Sequence, residues 1–280
     1  MINMFGRAYK KTIIILAIFN LSACSVVGGL WYERMDQFIA NQFLEYATFS
    51  IEQENYIRKA TEEFKHWNTK NELPKYKKLL LTFRLLDNTT RVDDIDDIYQ
   101  KGVMLGNRSR DFFVPYMVAL SSELTNQQVE EIAIHFDGLM EERRFELDNE
   151  RKSFQAVLEK SFVRFFRLLG VRLNNEQKNT VRLLSSELED TRYELIDARI
   201  KWNQQFVTIL AFRQEKNFKK ILTDHINSLS SEDINTRRVI NQITAEIIAS
   251  LDEKQRARFQ KRLGVFETSI DQILVKNLSV

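Results

Sequence analysis

The sequence predicts an all-α fold, an elongated helical bundle with a long antiparallel helical hairpin over about residues 125–215. Three observations carry this. Leu, Glu, Arg, Lys, Gln and Phe dominate, with almost no alternation of period two. Beyond residue 30 there are only two prolines, Pro74 and Pro115, and five glycines to break helices. A short helix-start signature also recurs at four places along the chain.

The first element is a targeting segment. Arg7, Lys10 and Lys11 precede a short apolar run, Thr12 to Phe19, and then Leu21-Ser22-Ala23-Cys24. That three-part layout reads as a secretory signal peptide, residues 1–23, with an apolar part too short to span a bilayer. Leu21, Ser22, Ala23 and Cys24 resemble the bacterial lipobox, in which cleavage leaves a cysteine carrying lipid on its sulfur and its amine. Cys24 is the only cysteine. Ser25, rather than Asp, follows it, and by the same resemblance this implies an outer-membrane anchor facing the periplasm. Each buried CH₂ of the acyl chains adds about 0.8 kcal/mol to such anchoring.

Loss of the three basic residues of that segment from 41 Lys+Arg leaves 38 against 39 Asp+Glu, a balance near −1 instead of the +2 of the whole chain. A nucleic-acid partner, which calls for a strongly basic footprint, is not expected. No disulfide can form within residues 25–280, so stability rests on burial, and that length suffices for a core. Residues 24–280 read as one all-helical domain.

Trp31 to Phe49 is rich in aromatic residues and reads as the first core helix, with a helix lying in the membrane interface as the alternative. The recurring units come next: Phe49-Ser50-x-x-Gln53, Leu124-Thr125-x-x-Gln128, Leu173-Asn174-x-x-Gln177 and Leu251-Asp252-x-x-Gln255. Each has the grammar of a capping box, so the units predict four helix starts. Val129 occupies the staple position for Leu124, whereas Glu54, Lys178 and Arg256 stand there in the other copies. The glutamines are spaced 75, 49 and 78 residues apart, a pattern that suggests two related halves, about 31–125 and 126–280.

Within the hairpin, Phe154, Val157, Leu158, Phe162, Phe165, Phe166 and Leu169 share one stripe, and Gly170 follows at a C-cap position. The return arm keeps a 3-4 spacing from Val181 through Leu184, Leu188, Thr191, Leu195, Ala198, Trp202 and Gln205 to Ile209. Continuous arms of 40 residues would reach about 60 Å. Glu141 to Ser153, nearly all polar, is the expected weak point. Phe162, Phe165 and Phe166 interleave with Arg164 and Arg167, a surface suited to loosely held clients if it is exposed, and core packing is the default for such aromatics.

Catalytic signatures are missing. Glu63 and His66 have the Glu-x-x-His spacing of a di-iron ligand pair, but no second such pair exists. Asp93, Asp94, Asp96 and Asp97 lack the glycine and terminal Glu of a calcium loop, and fit the first turn of a helix. No nucleophile elbow, phosphate loop or zinc-protease motif is present. The expectation is a non-enzyme with no metal and no cofactor.

The Leu124-Thr125-x-x-Gln128 unit is similar to the repeated motif of the Spy-type periplasmic stress chaperones. That resemblance implies a helical protein with a long hairpin that cradles unfolded clients. Asn174 and Asp252 depart from its Thr, and Phe49-Ser50 departs from Leu-Thr. This chain is also about twice as long, nearly neutral and marked for lipidation, whereas those chaperones are soluble and basic. Over its full length the chain resembles a family of uncharacterised bacterial lipoproteins, through its lipobox, an aromatic-rich first helix, Phe64-Lys65-His66-Trp67 with the following Glu72-Leu73-Pro74-Lys75-Tyr76, and the late helix beginning at Leu251. Two functions are expected to compete: a chaperone-like holder of unfolded clients, and an adaptor lipoprotein of an envelope machine with one folded partner.

Overall fold

The computed structural model describes residues 31–228 and 234–278, and these fold into eleven α-helices with no strand among the described residues. The lipobox residues Leu21, Ser22, Ala23 and Cys24 lie outside the described residues. In chain order the helices are α1 (Met35–Leu44), α2 (Ile51–Trp67), α3 (Leu73–Arg84), α4 (Val92–Ser122), α5 (Asn126–Asp148), α6 (Phe154–Leu168), α7 (Asn175–Ser185), α8 (Arg192–Ala211), α9 (Phe218–Asn227), α10 (Ile234–Ala249) and α11 (Glu253–Leu278). No described helix is long and apolar enough to cross a membrane.

Helix α1 is a core helix. It packs on α2 and buries Met35 and Ala40, with Tyr32 just before it. Between α2 and α3 the ladder widens into a π-turn, Asn68–Glu72, in which the Leu73 N–H reaches back five residues to the Asn68 carbonyl. Pro74 supplies the reason. It has no N–H for the carbonyl four residues back, and its ring crowds that oxygen, so the turn opens by one residue.

Two hydrophobic cores result. The larger gathers α1, α2, α3, the start of α4, α6, α7, α10 and α11, around Phe64, Ile95, Phe166, Leu169, Ile243, Phe259 and Leu263. The smaller is built by Val114 and Val118 of α4, Leu124, Val129 and Ile132 at the start of α5, Leu210 of α8, and Phe218, Leu222 and Ile226 of α9. Helix α4, 31 residues and so about 46 Å long, contributes to both. Its internal Pro115 lies where the packing changes over, next to Phe113 against the larger core and Val114 in the smaller. Each core draws helices from both sides of residue 125, so the cores do not follow the two halves suggested by the glutamine spacing.

The hairpin pairs as expected, α5 with α8 and α6 with α7. Its arms are not continuous, however, and the longest helix in either is the 23-residue α5. The first arm breaks at the expected polar stretch. There the Asn149 side chain donates to the Phe145 carbonyl at 2.8 Å, and Ser153 caps the following helix by accepting from the Ala156 N–H. The second arm breaks between Ser186 and Thr191, where Asp190 accepts the Arg192 guanidinium at 2.6 and 2.7 Å. The nine-position seam therefore divides: Leu188 drops into the larger core while Leu195 is exposed.

Gly170 ends α6 in a Schellman arrangement, with its own N–H on the Arg167 carbonyl at 3.0 Å and the Val171 N–H on the Phe166 carbonyl at 2.8 Å. Its φ is 81°, and a Cβ there would stand 3.1 Å from the Arg258 carbonyl oxygen. Only glycine satisfies both constraints.

Candidate functional site

The four capped units form reciprocal boxes. Ser50, Thr125, Asn174 and Asp252 accept from the backbone N–H groups of Gln53, Gln128, Gln177 and Gln255 at 3.3, 3.1, 2.9 and 2.8 Å. Each glutamine oxygen in turn accepts from the backbone N–H of its own cap residue, at 2.9–3.2 Å. The preceding Leu124, Leu173 and Leu251 are buried.

These glutamines also meet in pairs, which their spacing alone does not reveal. Gln53 and Gln128 exchange side-chain hydrogen bonds at 3.3 and 2.6 Å, and Gln177 and Gln255 exchange theirs at 3.0 Å each way. The second N–H of each amide goes to a backbone carbonyl: Glu123 for Gln53, Thr48 for Gln128, Ser250 for Gln177 and Arg172 for Gln255. Every donor and both lone pairs of all four amides are thereby used, which is the condition for burying them. One such joint belongs to each core, and each holds two helix starts against one another. The set is complete in itself and leaves no group free for chemistry.

The Phe/Arg stripe needs correction as a client surface. Phe162 and Phe166 point into the larger core, Phe166 at 0% exposure, and Phe165 packs against that core; only Arg164 and Arg167 are exposed. An amphipathic stripe of this kind is buried because seven apolar side chains on one face gain more from a core than from water.

Exposed large apolar side chains are spread over the surface, Ile51, Leu85, Met104 and Leu183 among them, and four fall on the α5–α8 pair. Ile134 and Phe145, 65% and 68% exposed, lie eleven residues apart, about three turns, and so share one face of α5. At the tip of the pair Tyr193 and Leu195 of α8 are also exposed. The tip is tied by Tyr193, which donates to Asp148 at 2.7 Å, and by an Arg144–Asp197 ion pair. Met140 and Ile196, buried within the pair, belong to neither core. Arg192 at the start of α8 also stacks over Phe154 of α6 at 5.3 Å, so this end of the pair meets the helices of the larger core.

The titratable groups serve packing. Glu63 accepts from Tyr116, and His66 is exposed. His225 stacks on Trp202 at 4.6 Å, and each donates to or meets the other's backbone carbonyl, at 3.2 and 3.0 Å. Asp93 and Asp94 occupy the first turn of α4, where Asp94 accepts from the Arg91 N–H. Among the described residues no group of three or more His, Cys, Asp or Glu is placed to hold a metal ion.

The π-turn gathers the most demanding polar set. Glu72 is fully buried, and it accepts a fork from Arg108 at 2.6–3.0 Å and the Lys75 ammonium at 2.8 Å. Burial pushes its pKa up, but the Arg108 and Lys75 partners outweigh that and hold it below the ordinary Glu value. Nearby, the Tyr32 hydroxyl lies 3.1 Å from Asn68 Oδ1 and 2.8 Å from Thr69 Oγ1. Burial raises its pKa to about 12.

A family model described as a family of unknown function (DUF6279) matches residues 45–234, more than half of the chain, and the protein belongs to that family. The match takes in the capped units at Ser50, Thr125 and Asn174 and stops short of the one at Asp252. No curated protein and no solved structure matches the chain.

Proposed function

We propose that this is a lipoprotein anchored to the outer membrane through Cys24, whose helical body faces the periplasm and binds other proteins without catalysing a reaction, in the manner of a chaperone. The observation that supports client binding is the exposed apolar set on the α5–α8 pair, Ile134, Phe145, Tyr193 and Leu195, interspersed with charge. Apolar groups exposed side by side mark interaction sites, as Phe145, Tyr193 and Leu195 stand at one end of the pair, and unfolded chains present the same mixture of apolar and charged side chains.

The chain from Ser25 onward contains both cores whole, so it serves for the test. It should suppress aggregation of an unrelated denatured protein at near-stoichiometric ratio without ATP. The triple variant Ile134→Ser, Phe145→Ser, Leu195→Ser should lose that effect while keeping its helicity, because none of the three side chains is buried. If several clients aggregate unhindered, and crosslinking in intact envelopes recovers one stoichiometric partner, the adaptor function replaces the chaperone one.

A further inference from the structure

Ion pairing is widespread on this molecule: Lys65, Lys77, Arg84, Arg108, Arg144 and Arg182, among others, each meet a carboxylate. Other cations stand without a carboxylate among the described residues, and around the Gly170 turn five of these come together. Arg167 at the end of α6, Arg172 in the turn, and Lys254, Arg258 and Lys261 on α11 are all exposed, and none of them forms an ion pair among the described residues. Local contacts put them on one surface. The Arg262 guanidinium donates to the Leu168 carbonyl at 3.1 Å, Gln255 donates to the Arg172 carbonyl at 2.8 Å, and Gly170 backs directly onto Arg258.

The arrangement costs stability locally. Lys254 and Arg258 are four residues apart and Arg258 and Lys261 three apart, so like charges are neighbours on the helix. Lys254 also sits in the first turn of α11, the end whose dipole disfavours cations. Asp252 and Glu253 at the very start offset only part of this. A feature that breaks local rules without repayment inside the fold points outward, to something it meets.

The form of the patch says what that partner is. It lies on a turn and the outer sides of two helices, and its apolar neighbours Leu169, Val171, Leu173, Phe259 and Leu263 are all buried. Protein interfaces are anchored by Trp, Tyr or Arg in pockets from which surrounding groups exclude water, and this patch exposes no aromatic or large apolar side chain beside its cations to do so. A plane of phosphate headgroups requires no such anchor, because each Lys or Arg near it adds attraction independently. We propose that the face formed by Arg167, Arg172, Lys254, Arg258 and Lys261 rests on an anionic phospholipid surface. This stands apart from the lipid anchor and from client binding.

The chain from Ser25, unlipidated, is titrated with vesicles of phosphatidylcholine alone and of phosphatidylcholine mixed with phosphatidylglycerol, and partitioning is read by co-sedimentation. Binding should occur to the anionic vesicles only and weaken as salt rises. Each cation near the surface is worth about five-fold, so the triple variant Arg172→Gln, Arg258→Gln, Lys261→Gln should bind roughly 100-fold more weakly. A second triple, Lys70→Gln, Lys216→Gln, Lys219→Gln, removes the same charge from exposed positions elsewhere and should bind like the parent. Both triples are checked for unchanged helicity. Equal losses in the two triples, or equal binding to both vesicle types, overturn the proposal. So does binding to polyglutamate with none to anionic vesicles, which assigns the face to an acidic protein.

Discussion

Substitution of Gln177 by Glu tests the amide joints directly. As a capping residue Glu is as good as Gln, because its carboxylate still accepts from the Asn174 N–H. If capping were the whole role, the cost would be within a few tenths of a kcal/mol. The joint predicts otherwise. Gln177 is 2% exposed, and its Nε2 donates to the Ser250 carbonyl at 3.3 Å and to Gln255 Oε1 at 3.0 Å. An oxygen in that place removes the bonds to the Ser250 carbonyl and Gln255 and sets oxygen against oxygen, at about 1 kcal/mol for each lost bond and about as much again for each acceptor left facing it. This is offset by about 1 kcal/mol when the Ser250 hydroxyl, 3.2 Å away, turns to donate. The expected loss is thus about 3 kcal/mol at neutral pH, a large share of a domain's margin. Protonation restores one donor, so the new carboxyl has a folded pKa above its unfolded value. The penalty is then smallest below the unfolded carboxyl range and grows as pH rises through the folded pKa. Urea unfolding followed by circular dichroism, at pH 7 and near pH 4, measures both effects. A neutral-pH loss under about 0.5 kcal/mol, or one that does not shrink in acid, refutes the reasoning.

Three further outcomes follow, two from the geometry and one from the proposed anchor. Gly170→Ala should cost about 2 kcal/mol in chemical denaturation, since Ala at positive φ is disfavoured by about 1–2 kcal/mol and its Cβ meets the Arg258 backbone. Arg108→Gln leaves the buried Glu72 carboxylate short of its fork and should lower the urea midpoint at pH 7. Because Glu72 titrates below its unfolded value, its contribution is present above the unfolded carboxylate range and is lost as pH falls, so the variant's deficit should narrow in an acid titration. Cys24→Ala should block lipid attachment and leave unprocessed or misplaced protein, seen by metabolic acyl labelling and membrane fractionation; parent-like fractionation speaks against the anchor.

Local rules were legible in the sequence, and tertiary choices were not. A capping box is a contact between residues three apart, so Thr125 with Gln128 and Asn174 with Gln177 announce helix starts without any knowledge of the fold. The amide pairs join residues 75 and 78 apart, and one hint of them was available: all four positions hold Gln, though Glu caps equally well. Gly170 was readable because a C-cap is also local. The Phe162–Phe166 stripe shows where spacing stops informing, since the same amphipathic pattern suits a core or an exposed groove, and only the neighbouring α7 and α11 decide between them. The 3-4 seam failed for a related reason. Its apolar period runs on through Ser186–Thr191, but Asp190 prefers its own Arg192 to a place in a continuing helix. Pro74 was visible, yet a π-turn depends on what the widened loop can bury, here Asn68, Thr69 and Glu72.

The interruptions are not scattered. Helix α4 passes from one core to the other at Pro115, α5 gives way to α6 at Asn149–Ser153, and α7 to α8 at Ser186–Thr191. An unbroken helix resists bending along its whole length, whereas a missing rung or a short linker yields first. These three weak rungs lie on chain passages between the cores, while α2 crosses unbroken from the Gln53 joint to Phe64 of the larger core. A load drawn between the two cores therefore flexes these joints before it melts either core, and the protein acts mechanically as a jointed lever instead of a rod.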